Sequence, residues 1–389
     1  MATHAAIVGV GMTEGTSPRS QTQSKAELCH QAVGRALRHA GLEVGQLDAI
    51  VFGTLDGFEA TNIPGGYLGP SVGGAHGIPV LSLNTGGSTG GNCVNAAHAM
   101  VTSGDADIVV CVGPSSFDGV TDMQAVINTA IPLVIEQPMG VGAIHCGALF
   151  SAAYGDRYGA THEDYARIAV KNYENARHNP YAHLREELTV QEVVESRDVT
   201  TPLRFRTSCP VSSGASALIV ASAEVAGRLP NPPVWIRAAG SGADTYLGGG
   251  RQDFARFENL ALLAERIFRH AGVKNPRTEI DVAELFAPFA PFEYMELEAL
   301  GIVGEGEALD YVRGGAIEFG GELPVNLSGG PLCSNPGVAA QLAPYGYAAW
   351  QLMGQAAGGL QVPDARRAVA HSAGGSFFQF HTLAVLERD

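Results

Sequence analysis

Residues 79–104, PVLSLNTGGSTGGNCVNAAHAMVTSG, hold the arrangement in this chain best suited to chemistry. Residues 80–83 form a short apolar strand, Gly86, Gly87, Gly90 and Gly91 crowd the turn, and residues 93–102 have the small side chains of a closely packed helix. A strand that breaks sharply into a helix aims one side chain and several free backbone N–H groups at one spot. Other chemistries find less support. The only lysines, Lys25, Lys171 and Lys274, lie in polar or helix-surface contexts, whereas a Schiff base needs a buried amine. The six cysteines are scattered with no C-x-x-C pair, which describes reduced, buried thiols rather than a zinc site or disulfide framework. The twelve histidines show no paired ligand spacing.

Such a turn needs a layered α/β scaffold, and the composition supplies one. The 389 residues are 46% hydrophobic and only 16% charged, with 50 glycines, as in a compact enzyme with extensive buried surface. A net charge of -15 argues against a nucleic-acid partner. The first residues lack a basic segment followed by an apolar one, and no apolar run is long enough to span a bilayer, so a soluble, cytoplasmic protein is expected.

Strands are expected at 5–9, 47–53, 80–83 and 105–113, with a helix over 25–40 that Gly41 stops. From 114 to about 185 the alternation breaks, and this stretch is expected to cap the site, with two helices within 146–171 separated near 159–161. A buried strand returns at 211–222, and PNPP at 230–233 is the best candidate boundary. The order then restarts: strand 234–240, helix 257–271, strand 280–286, helices 292–300 and 338–357, strands 368–371 and 382–386. Two halves, 1–232 and 233–389, therefore share an element order, although their residues differ too much to count as an obvious repeat.

The glycine turn resembles the nucleophile turn of thiolases, in which an Asn, two residues and a cysteine open a buried helix. Here Asn84, Thr85 and Gly86 lead to Gly87, with Ser88 following, so glycine holds the nucleophile position. Three further segments resemble the thiolase set. Residues 283–289, AELFAPF, place Phe286 where an oxyanion-binding histidine is expected. Residues 325–336, VNLSGGPLCSNP, keep Asn326, Gly329 and Gly330 and leave Asn335 as the nearest substitute for the basic histidine. His371, Gly374 and Gly375 belong to the C-terminal glycine turn. The resemblance implies a duplicated thiolase fold, layered α/β/α/β/α, with an inserted loop or cap domain. The Asn-Pro-Tyr-Ala stretch at 179–182 makes the likeness nearest to the sterol-carrier-protein-x, or lipid-transfer-protein, type.

A thiolase without its cysteine cannot form an acyl-enzyme. Thiolase-like chains that lack the cysteine and carry tyrosines at Tyr294 and at Tyr345 or Tyr347 resemble the aldolases of bacterial steroid side-chain degradation. That resemblance implies retro-aldol cleavage of a steroid β-hydroxyacyl-CoA to a 17-ketosteroid and propionyl-CoA, with tyrosine as acid and base. Tyrosine, with an ordinary pKa of about 10, then needs a depressed pKa or coupling to a neighbour such as His371. Backbone N–H groups around Gly87, Ser88 and residues 374–376 are expected to hold the enolate oxygen, with Asn326, Gly330 and Asn335 shaping the substrate site. The resemblance also implies a small partner with an OB-fold and a zinc ribbon, with zinc in that partner and no cofactor in this chain, and a homodimer through residues 80–83 within a heterotetramer. A non-catalytic acyl-CoA- or lipid-binding scaffold, and an acyltransferase with relocated catalytic residues such as Cys93 or Cys333, stay open as alternatives.

Overall fold

The computed structural model describes residues 4–55, 63–115, 125, 128–129, 131, 134–245, 248–375 and 377–389. Most of the first part of the expected cap, and Ser376 of the expected oxyanion site, lie outside the described residues.

The large sheet consists of β1 (Ala5–Met12), β2 (Ala49–Gly53), β3 (Val80–Leu83), β4 (Ile108–Ser115), β7 (Gly214–Ser222), β8 (Val234–Ala243), β9 (Val282–Glu284), β10 (Arg367–Gly374) and β11 (Phe380–Glu387). A separate ribbon pairs β5 (Asp198–Thr200) with β6 (Leu203–Arg204). The sheet runs β3-β2-β4-β7-β1-β8-β11-β10-β9. Read outward from its middle, the first half is β1-β7-β4-β2-β3 and the second β8-β11-β10-β9, with Val325 bridging Ala283 in parallel where a fifth strand would stand. In each half the second strand, β7 or β11, is antiparallel to both neighbours, and the remaining pairings are parallel. The halves join where Ala6 faces Trp235 and Ile7 faces Val234.

The helices used below are α1 (Lys25–Ala40), α2 (Thr89–Ser103), α3 (Ala143–Tyr158), α4 (His162–His178), α5 (Glu258–Ala271), α6 (Ala290–Ala299), α7 (Ala308–Arg313) and α8 (Gly337–Met353). Alternation along the strands sorts them into layers. Ala6, Val8, Ile50, Phe52 and Ile219 pack with α1, whereas Ile7, Val51, Val109 and Leu218 share a core with α2 and α8. Val282, Ala368 and Ala384 of the second half complete that central core. Val369, Leu383 and Val385, on the opposite face, pack with α3 to α7. Five layers follow, α/β/α/β/α, and their middle layer is the pair α2 and α8. Only three of the seventeen residues of α8 are not buried, so it presents no polar face to solvent.

Local sequence sets the ends of α1 as expected, whereas the helix expected over 338–357 stops at Met353, where Gly354 turns left-handed. Ser24 and Glu27 form a capping box on α1, and Gly41 closes it in the left-handed region at φ 72°. Helix α2 starts four residues earlier than its small-residue run, because Thr89 and the glycines before Cys93 already take helical geometry. Among the described residues no helix is long and apolar enough to cross a membrane.

Candidate active site

Four chain segments converge at the start of α2. Asn84 Oδ1 accepts the N–H of Gly86 at 3.2 Å, and Thr89 Oγ1 accepts that of Thr85 at 2.8 Å. These side-chain bonds fold the chain back within a few residues, with Gly86 at φ 63°. Ser88 Oγ donates to the Thr85 carbonyl at 3.0 Å, so this hydroxyl is engaged in building the turn. The N–H of Gly90 donates to Gln341 Oε1 at 3.1 Å, tying α2 to α8.

Gly87 rests directly on Gly374. A Cβ on Gly87 would stand 2.5 Å from the Ala373 carbonyl oxygen and nearer still to Gly374 Cα. A Cβ on Gly374 would lie 2.7 Å from the carbonyl carbon of Gly87 and closer to its Cα. The two glycine turns therefore touch backbone to backbone, and neither accepts a side chain unless the other moves. Gly375, at φ 94°, continues the second turn, and Phe286 closes the neighbourhood by packing on Ala340 and Ala373.

The three candidate tyrosines separate. Tyr345, on α8, donates to Thr382 Oγ1 at 3.0 Å, and Thr382 shares a 2.6 Å bond with Ser372, two residues before Gly374. Gly91, one helical turn beyond Gly87, makes room for this: its Cβ would overlap the Tyr345 hydroxyl and lie 2.6 Å from Thr382 Cβ. Burial pushes the Tyr345 phenol up to about 12. Tyr294, on α6, lies beyond the opposite face of the second-half strands and donates to the Asp164 carbonyl at 2.8 Å. Its ring stacks on that of Tyr154, and burial holds its phenol well above the usual range.

His371 shares the Tyr294 side of β10, not that of Tyr345. Its Nε2 bonds His381 Nδ1 at 2.9 Å, and its Nδ1 stands 3.7 Å from Glu296 Oε1. Burial holds His371 well below the usual imidazole range and Glu296 well above the usual carboxylate range.

Tyr347, two residues past Tyr345, faces a cavity of about 40 Å³ lined also by Asn179, Glu284, Ser328, Gly330 and Pro336. Its hydroxyl accepts from Asn179 Nδ2 at 2.8 Å, and the same amide group donates to the Ser328 carbonyl at 2.8 Å. Ser328 in turn gives its N–H to Glu284 Oε1 at 3.1 Å and its hydroxyl to Oε2 at 2.5 Å. Burial pushes the Glu284 carboxyl up to about 7 against the pull of these bonds and of Lys171. Glu284, Ser328 and Asn179 escaped the sequence reading. Glu284 lies within the 283–289 segment that resembles the thiolase set, where Phe286 alone was singled out.

The two asparagines act as fasteners. Asn326, at φ 53°, accepts the Leu285 N–H at 2.7 Å and donates to Glu293 Oε2 at 2.9 Å. Asn335 gives its N–H to Ser212 at 3.2 Å and its amide to Cys209 Sγ at 3.2 Å, while its neighbours Ser334 and Pro336 line the cavity. The placing of Lys171 on a helix surface is corrected: its side chain is only 7% exposed. It pairs with Glu293 and donates to the Val325 carbonyl at 2.8 Å, because α4 is covered by α6 and the 325 segment. Among the described residues no group of three or more His, Cys, Asp or Glu is arranged to hold a metal.

Residues 5–224 match the family model for the thiolase N-terminal domain, and residues 240–388 match that for a thiolase C-terminal domain-like unit. The chain belongs to the thiolase family. This thiolase-family chain is 30% identical to sterol carrier protein 2 of Gallus gallus, over 95% of its own length and 69% of that protein. It is also 30% identical to a steroid side-chain-cleaving aldolase of Thermomonospora curvata, over 84% of this chain and 85% of the relative. The same identity, over 84% and 86%, relates it to the 17-hydroxy-3-oxo-4-pregnene-20-carboxyl-CoA lyase of Mycobacterium tuberculosis. Among solved structures, the Ltp2-ChsH2(DUF35) aldolase superposes with a TM-score of 0.84 at 27% identity, covering 99% of this thiolase-family chain and 98% of the other.

Proposed function

We propose that this protein is a carbon–carbon lyase that cleaves a steroid β-hydroxyacyl-CoA by a retro-aldol reaction, giving a 17-ketosteroid and propionyl-CoA without an acyl-enzyme. The observation that carries the reading is the contact of Gly87 with Gly374, which leaves no room for a thiolate where thiolases keep one. Relatives named as a steroid side-chain-cleaving aldolase and as a 17-hydroxysteroid acyl-CoA lyase support the substrate class. In this reading the backbone N–H groups of the Gly87 and Gly374–Gly375 turns hold the thioester enolate oxygen, worth about 3–4 kcal/mol per donor in the transition state. Tyr345, Tyr347, Tyr294 and His371 are the candidates for proton traffic. Since burial raises all three phenols, they serve first as proton donors at neutral pH.

The reading extends to assembly. The aldolase structure is a complex with a DUF35 partner, which supports a small OB-fold and zinc-ribbon protein as partner here, zinc residing there. Strand β3 is the sheet's edge and Leu81 on it is 43% exposed, which supports pairing of two copies through this strand within a heterotetramer. A monomer that persists at every concentration would remove that dimer.

A 17-hydroxysteroid acyl-CoA thioester mixed with the protein, with and without the zinc-ribbon partner, tests the activity. Mass spectrometry should find the 17-ketosteroid and propionyl-CoA. A second reading, a non-catalytic acyl-CoA-binding scaffold, is favoured by one observation: the Tyr294 and Tyr345 hydroxyls are both engaged inside the core. Intact substrate in both mixtures, despite measured binding, would select it.

A further inference from the structure

A retro-aldol step needs a group that takes the substrate hydroxyl proton, and phenols held protonated by burial do not do so unaided. The polar cavity beside α8 offers what they lack. Glu284 and Tyr347 face the same space, and Ser328 and Asn179 join them on its wall through the four hydrogen bonds described above. Tyr347 accepts from Asn179 and, among the described residues, finds no acceptor for its own O–H, which leaves that proton to the cavity. About 40 Å³ lined by carboxyl, hydroxyl and amide groups is enough for water to bridge the two. Leu285 and Ala340 line the cavity, while the adjacent Phe286, with Ala340, packs on Ala373 beneath the Gly87 turn. Ala340 thus borders both the cavity and the residues under the glycine turns.

We propose that Glu284 is the proton acceptor serving Tyr347 across this cavity, so that the pair, rather than a tyrosine alone, does the acid–base work of carbon–carbon cleavage. The proposal rests on the lyase reading. As the β-hydroxyl proton moves to the Tyr347 oxygen, the phenol proton passes through cavity water to the Glu284 carboxylate. The electron pair of the breaking Cα–Cβ bond goes to the thioester enolate, and the ketone forms. A proton returned to Cα restores the Glu284 carboxylate, so the cycle is balanced. Glu284 acts through Tyr347 and is a positioning residue in this scheme. The groups that tune it are Ser328, Lys171, Glu293 and Tyr347, and those around Tyr347 are Asn179, Tyr181 and Trp350.

The test has two arms. Carboxyl infrared spectra of the protein should show one C=O band that disappears as pH rises through about 7. Glu284→Gln should remove that band, and Tyr347→Phe should move its midpoint. A Glu284→Gln spectrum that keeps the band, or a midpoint indifferent to Tyr347→Phe, overturns the pair whether or not the protein is a lyase. In cleavage assays Glu284→Gln should lower kcat on the order of 100-fold with little change in KM and abolish the rise of activity through neutrality, while Glu284→Asp recovers part of it. Should Glu284→Gln fail to fold, Ser328→Ala, which removes a bond favouring the carboxylate, should move both midpoints to higher pH. An unchanged pH profile in an active Glu284→Gln protein overturns the proposal. A titrating, coupled band in a protein without cleavage would sink the lyase reading alone.

Discussion

Two places at the centre of this molecule are built in opposite ways. At the Gly87–Gly374 contact, two backbones touch and no side chain fits. At the cavity beside α8, Glu284, Ser328, Asn179 and Tyr347 ring a space that backbone leaves open. The first has no room for a side chain, while the second presents Glu284 and Tyr347 to a shared polar space. The first lies at the start of α2 and the second beside α8, helices that occupy equivalent places in the two halves. A duplicated scaffold can thus close one site and keep the other polar without altering its layers.

The largest expected effect concerns the wall behind the cavity. Lys171→Met leaves Glu293 buried without its cation and should cost about 3–5 kcal/mol in urea unfolding. It should also raise the Glu284 midpoint, because Lys171 pulls that value down. Next comes the closed contact. Gly374→Ala forces a methyl into the backbone of Gly87 and should cost about 1–3 kcal/mol, and Gly87→Cys should cost as much without restoring acyl transfer. A Gly87→Cys protein as stable as its parent would break the comparison.

Removing single hydroxyls should matter less for stability. Tyr345→Phe removes one hydrogen bond to Thr382 and should cost about 1 kcal/mol, with Thr382 still bonded to Ser372. Smallest, but most specific, is the pH dependence of stability. The folded-state value of Glu284 is raised from 4.5 to about 7, so its contribution is full below 4.5 and lost as pH rises to 7. The buried histidines act in the opposite sense. His381 is pushed down from 6.5 to about 3, so its contribution is present above 6.5 and lost as pH falls. Urea midpoints of wild type and Glu284→Gln should therefore diverge between pH 4.5 and 7 and run parallel above.

Much of the scaffold could be read in the sequence because it rests on local rules. Leu28, Ala32, Val33, Ala36 and Leu37 recur at helical spacing between Ser24 and Gly41, and α1 ends at those signals. The glycine turn was legible for the same reason, since strand, glycines and small residues are adjacent in the chain. Lys171 was misplaced because its neighbours Val170 and Asn172 look like a surface helix until α6 and the 325 segment cover it. Glu284 was passed over because the groups that share its cavity, Ser328, Asn179 and Tyr347, lie 44 or more positions away in the chain. The tyrosines were all visible, but no spacing rule says that Tyr345 faces Thr382 while Tyr347 faces a cavity.

The central claim is cleavage without a covalent intermediate. It is tested most directly by intact-protein mass spectrometry during turnover of the 17-hydroxysteroid acyl-CoA, with products followed in the same samples. Ketosteroid and propionyl-CoA should accumulate while the protein mass stays unchanged. An acyl group carried on the protein while CoA is released would contradict the account.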